Sequence, residues 1–123
     1  TIATNNVTLN GKDHSITQTD PSGKHALGIQ VKESCKDIKI ENIKFHALSG
    51  GGIWFRGDNV NLTVKNSKFT NCGYFGMTQL DAKNLPKNIP TAFTQSILFD
   101  GGYGKPIKDA QVIDCVFAEC GIL

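Results

Sequence analysis

Gly28-Ile29-Gln30-Val31 and Gly52-Ile53-Trp54-Phe55 are one short pattern written twice, 24 residues apart. The same offset carries Ile38 to Leu62, Ile40 to Val64, Asn42 to Asn66, Phe45 to Phe69 and Leu48 to Cys72. It also carries Gly52-Ile53 to Gly76-Met77. A step of 48 from the second unit links Val64 to Val112, Asn66 to Asp114, Ser67 to Cys115, Phe69 to Phe117 and Cys72 to Cys120. One spacing shared by so many positions marks a repeat architecture.

Each unit reads as three short strands. The first is Gly-Ile-x-Val. The second is Asp37-Ile38-Lys39-Ile40-Glu41, matched by Asn61-Leu62-Thr63-Val64-Lys65 and by Ala110-Gln111-Val112-Ile113. The third is Ile43-Lys44-Phe45, matched by Ser67-Lys68-Phe69 and Cys115-Val116-Phe117. Alternation sends one side chain inward and the next outward. Strands this short suit a solenoid, where each pairs with its own copy one coil away, about 4.8 Å along the axis. The predicted inner rows are Ile29, Ile53, Met77 and Ile122; Val31 and Phe55; Ile38 and Leu62; Ile40, Val64 and Val112; Phe45, Phe69 and Phe117; and Leu48, Cys72 and Cys120. Asn42, Asn66 and Asp114 fall at the tight turn between the second and third strands. Both residue types tolerate left-handed backbone there, so they are read as a structural turn ladder.

Val7-Thr8-Leu9-Asn10-Gly11 reads as the second strand and turn of an earlier coil, with Ser15-Ile16-Thr17 as its third strand. Residues 78–106, rich in Pro and Gly, read as a long loop insertion. Ser96-Ile97-Leu98-Phe99 is a candidate returning strand inside it. The interruption is either one coil with a long insertion or two coils, the second degenerate. Residues 1–123 are expected to be a single domain or a fragment of a longer one. No cap is legible at either end, so missing coils or other protein chains are the expected partners there.

The pattern Gly-Ile-x-Val, then Asp-Ile-x-Ile-x-Asn, then x-x-Phe resembles the parallel β-helix repeats of the pectate-lyase-like superfamily. Residues 24–77 and 107–123 carry it, and Asn6-Val7-Thr8-Leu9-Asn10-Gly11 is similar to the opening coil of that group. The resemblance implies an all-β chain folded as a right-handed parallel β-helix, a single-stranded β-solenoid of about 4–5 coils of ~24 residues. It does not imply one activity, because this architecture serves lyases, hydrolases, epimerases, phage tailspikes, adhesins and virion proteins alike.

Composition narrows the classes. The net charge is +2 and twelve of the thirteen basic residues are scattered lysines, which argues against nucleic acid as a partner. No apolar run approaches the roughly 20 residues of a membrane span. Cys35, Cys72, Cys115 and Cys120 lack zinc-site spacing and read as small buried hydrophobes, with a disulfide left open. The sequons Asn6-Val7-Thr8 and Asn61-Leu62-Thr63 overlap strands and read as chance matches.

No catalytic signature is legible. The outward first-strand positions are Gln30, Trp54 and Thr78, with no pair of acids of the kind glycoside hydrolysis needs. Asp58, Asp81, Asp100 and Asp109 are dispersed. His14, His25 and His46 read as turn and surface residues. Arg56-Gly57-Asp58 resembles an integrin-binding tripeptide but falls at a turn. No cofactor and no metal site is expected; calcium enters only if the chain is a lyase.

The best candidate surface stacks Gln30 on Trp54 on Thr78, and Lys32 on Arg56 on Leu80. Gln30, Lys32, Trp54 and Arg56 are the candidate glycan-binding residues, an indole for the sugar face and polar groups for its hydroxyls or carboxylate. The leading expectation is a non-catalytic scaffold of a larger extracellular, cell-surface or virion assembly. The alternatives are a polysaccharide lyase or C5-epimerase, and a glycan-binding module.

Overall fold

The computed structural model describes residues 1–19, 26–73, 95–102 and 104–120. The strands in chain order are β1 Val7–Asn10, β2 Ser15–Thr17, β3 Ile29–Val31, β4 Lys36–Glu41, β5 Lys44–His46, β6 Ile53–Phe55, β7 Val60–Lys65, β8 Lys68–Thr70, β9 Ile97–Phe99, β10 Lys108–Ile113 and β11 Val116–Ala118. Among the described residues they form three sheets, ordered β1-β4-β7-β10, β2-β5-β8-β11 and β3-β6-β9. Every pairing is parallel and joins a strand to its copy in the next coil. Parallel partners cannot be joined by a hairpin, so the chain must travel around the prism between them.

The inner rows follow the spacing of 24 where it holds, and are longer than the sequence suggests. Val7 extends the Ile38–Leu62 row and Leu9 the Ile40–Val64–Val112 row. Ile16 extends the Phe45–Phe69–Phe117 row. The first-strand row is corrected: Ile97, not Met77, lies in register on Ile53, and Phe99 follows Phe55. Met77 and Ile122 lie outside the described residues, as do 78–94 of the expected insertion. Residues 97–99 of that stretch form β9. Because β9 pairs directly with β6, β10 with β7 and β11 with β8, no further coil stands between those strands.

The core runs along the axis. Val31, Ile40, Phe45, Phe55, Leu62, Val64, Phe69 and Cys72 are fully buried. Phe45 and Phe69 stack with ring centroids 4.7 Å apart, and Phe69 and Phe117 at 5.0 Å. Phe55 and Phe99 make a second stack at 5.1 Å. These separations repeat the strand spacing, since in-register strands carry their rings upward together. On the outermost strands the same rows open: Phe117 is 50% exposed and Val112 43%.

Corners are made by left-handed residues, themselves stacked in rows. Asn42, Asn66 and Asp114 have φ of 56°, 48° and 51°. Asn6, Asp37, Asn61 and Asp109 form another row, Ser34 and Asp58 another, and Ala47, Asn71 and Glu119 a further one. Asn and Asp suit this backbone because their short side chains bond locally; the Asn61 amide donates to Asp37 at 2.6 Å. Both sequon asparagines belong to one such row, which gives a conformational reason for Asn at each.

The residue after the left-handed one points inward and is often Cys or Ser. The side chains of Cys35, Ser67, Cys72, Cys115 and Cys120 each fold back on the carbonyl two residues earlier. The cysteines, all unbridged, are thus small corner fillers. Asn59 is the polar exception, fully buried. Its Oδ1 accepts from the Cys35 amide at 2.9 Å, its Nδ2 donates to the Arg56 carbonyl and its own carbonyl accepts from Lys108 at 3.0 Å. One side chain thereby ties successive coils with both of its own polar atoms paired.

Ala47 holds φ 53° without an Asn or Asp side chain, a conformation that costs L-residues roughly 1–2 kcal/mol. Ala47→Asn is therefore expected to stabilise the fold by about 0.5–1 kcal/mol, read from the urea midpoint. An unchanged or lowered midpoint would show that this corner carries no relievable strain.

Candidate functional site

The sheet β3-β6-β9 alternates buried, half-buried and buried residues in β3 and β6, so its outward positions are Gln30, Trp54 and Leu98 in register. The backbone ladder continues one residue further, with Arg56 donating to the Val31 carbonyl at 3.1 Å and Asp100 to that of Phe55 at 2.9 Å. Lys32, Arg56 and Asp100 therefore follow one another along the axis. Leu98 and Asp100 occupy the places expected for Thr78 and Leu80, which lie outside the described residues.

Around Trp54 and Arg56 the side chains close on one another. The indole Nε1 donates to Asp100 Oδ2 at 3.3 Å. The Arg56 guanidinium lies over the indole, 5.2 Å from the ring centroid. Arg56 Nη2 also meets Glu33 Oε1 at 3.0 Å, while Lys105 Nζ meets Glu33 Oε2 at 2.6 Å. Glu33 thus bridges cations from two other segments. Gln30 is half-buried beside Trp54, and Lys32 is exposed.

The hydrogen bond from Lys105, with its charge and that of Arg56, holds the Glu33 carboxyl below its ordinary 4.5. The same bond holds the Lys105 ammonium above its ordinary 10.5. A depressed carboxyl stabilises the fold above its unfolded value and loses that contribution as pH falls through its folded value; a raised ammonium does so in the opposite direction. Glu33→Gln is therefore expected to melt below the wild type at neutral pH, with the gap closing as the solution is acidified below 4.5. The groups are exposed, so added salt should shrink the gap as well. A gap independent of both pH and salt would assign the effect to something other than this ion cluster.

The four candidate residues do share one face, but Glu33, Asp100 and Lys105 were not among them. Asp100 had a signal: Ile97-Leu98-Phe99-Asp100-Gly101 parallels Ile53-Trp54-Phe55-Arg56-Gly57. Lys105 had none, since it arrives from a loop. The Arg56-Gly57-Asp58 tripeptide forms a corner. Gly57 is buried, and a Cβ there would meet the Lys105 side chain at 2.6 Å. The Asp58 amide donates to the Lys105 carbonyl at 3.2 Å. His14 and His46 are exposed on the β2–β5 side, away from this face, and His25 lies outside the described residues. Among the described residues no three His, Cys, Asp or Glu side chains gather in a way that could hold a metal ion, and no helix is long and apolar enough to cross a membrane.

The chain matches no curated protein and no solved structure. The sequence model of one family, described as right handed beta helix region, matches residues 3–122. That match spans nearly the whole chain and agrees with the stacked parallel sheets, so the chain belongs to the right-handed β-helix family.

Proposed function

We propose that this chain is a non-catalytic segment of β-helix scaffold within a larger extracellular, cell-surface or virion assembly. The observation that carries the reading is the closed network on its most decorated face. Glu33 takes up both Arg56 and Lys105, Asp100 takes the indole N–H, and Arg56 covers the ring. Polar groups that would otherwise greet a ligand tie coils to each other instead. In the test, the protein is incubated with a panel of uronate polymers while the ultraviolet absorbance of unsaturated products is followed. Trp54→Ala is melted in parallel. A lowered melting temperature with no product formed at any pH supports the scaffold; product formation would replace it with a lyase.

A second reading, glycan contact, is favoured by the exposed Lys32 and the half-buried Gln30 and Trp54 on one axial stripe. An aromatic ring beside an amide and cations suits a sugar carrying a carboxylate. It predicts retention on an immobilised acidic polysaccharide that a folded Lys32→Ala variant loses. Equal retention of both proteins would dismiss it.

A further inference from the structure

Two of the corner-filling thiols belong to the same inner column. Thr70 and Ala118 are paired in register, and the Asn71 amide donates to the Ala118 carbonyl at 3.1 Å. Cys72 and Cys120 each stand two residues beyond that pair, each directly after a left-handed residue. Their side chains converge on the same stretch of β8: the Cys120 thiol lies 3.5 Å from the Phe69 carbonyl oxygen, and the Cys72 thiol 3.6 Å from that of Thr70. In-register neighbours in parallel sheets lie about 4.8 Å apart, inside the Cα range that a disulfide accepts. The other two cysteines have no such neighbour. Cys115 lies against Ser67 in its row, and Cys35 against Asn59.

We propose that Cys72 and Cys120 are an oxidisable pair, which a small-molecule disulfide such as oxidised glutathione converts into a bridge across adjacent coils. Cys120 is half-buried and Cys72 fully buried, so attack begins at Cys120. Its thiolate displaces one glutathione thiolate, giving a mixed disulfide. The Cys72 sulfur then attacks the Cys120 sulfur, its proton passes to solvent base and the second glutathione leaves as a thiol. The two protein thiols lose two hydrogens and two electrons, and the reagent gains both. Burial pushes the Cys72 thiol up to about 11, and a charge on Cys120 pushes the same way. The second step is therefore the slow one and quickens as pH rises.

The test treats the folded chain with oxidised glutathione at mildly alkaline pH, alkylates remaining thiols after unfolding, and maps the digest by mass spectrometry. The expected result is a Cys72 peptide joined to a Cys120 peptide, with Cys35 and Cys115 alkylated. The link should survive Cys115→Ala and vanish in Cys120→Ala, both checked for unchanged circular dichroism. Four alkylated cysteines, glutathione held on Cys120 with no internal bridge, or a dominant link to Cys115 would each overturn the proposal.

Discussion

Phe69→Ala is expected to cost about 4 kcal/mol of folding free energy, among the largest losses of any single truncation at the described residues. Phe69 is fully buried and is the middle ring of a column, stacked on Phe45 at 4.7 Å and on Phe117 at 5.0 Å. Removing it leaves a void between two rings fixed to separate strands, and neither strand can close the gap without breaking its ladder. Phe117→Ala should cost far less, about 1–2 kcal/mol. Among the described residues its ring stacks on Phe69 alone, and it is 50% exposed. Urea denaturation of the two variants gives the comparison. Equal losses would mean that the column is not continuous.

Gly52→Ala is expected to cost about 3 kcal/mol, although it adds a single methyl group. A Cβ at Gly52 would stand 2.6 and 2.7 Å from two atoms of the Phe69 ring and 2.7 Å from the Ser96 carbonyl oxygen. The ring cannot slide aside because Phe45 and Phe117 clamp it. The carbonyl cannot turn because it accepts from both Gly52 and Ile53, at 2.9 and 3.0 Å. Gly28 has the same need one coil away, where a Cβ would meet the Gly52 carbonyl at 2.6 Å. Gly101→Ala is the matched control, because the nearest atoms around its Cβ lie at 3.7 Å and its backbone is not left-handed. That variant should stay within about 0.5 kcal/mol of the wild type. Thermal or urea unfolding distinguishes the pair.

The two glycines also show why part of this fold was readable. Where the chain repeats without interruption, from β3 to β8, packing demands the same residue class at each level, and the spacing of 24 exposes it. Ile38 and Leu62, or Phe45 and Phe69, could hardly have been read otherwise. The interruption after β8 broke the phase. Gly76-Met77 satisfied the spacing, yet Ile97 takes the place on Ile53. The later Ser96-Ile97-Leu98-Phe99 had the right composition at the wrong distance. Corners were legible only where chemistry is uniform. Asn42, Asn66 and Asp114 advertise a left-handed turn, whereas Ala47, Asn71 and Glu119 make the same turn with three unrelated side chains.

The candidate site was legible to a similar degree. Stacking placed Gln30, Lys32, Trp54 and Arg56 on one face, because strand alternation fixes which side chains point outward. It could not supply Glu33 and Lys105. Their contact joins positions 72 residues apart and depends on the path of a loop, which no local periodicity encodes. The unforeseen partners change the reading of the face, since they convert an exposed arginine beside a tryptophan into a neutralised clamp.

Nuclear Overhauser contacts in a sample with labelled methyl groups and aromatic rings would probe the coil stacking itself. Strong cross-peaks are predicted between Ile38 and Leu62, between Ile40 and Val64, and between the rings of Phe45 and Phe69, together with the amide-to-Hα pattern of parallel strands. Absence of these cross-peaks in a folded sample, or close Hα–Hα contacts of antiparallel pairing, would contradict the β-helix and every surface built on it.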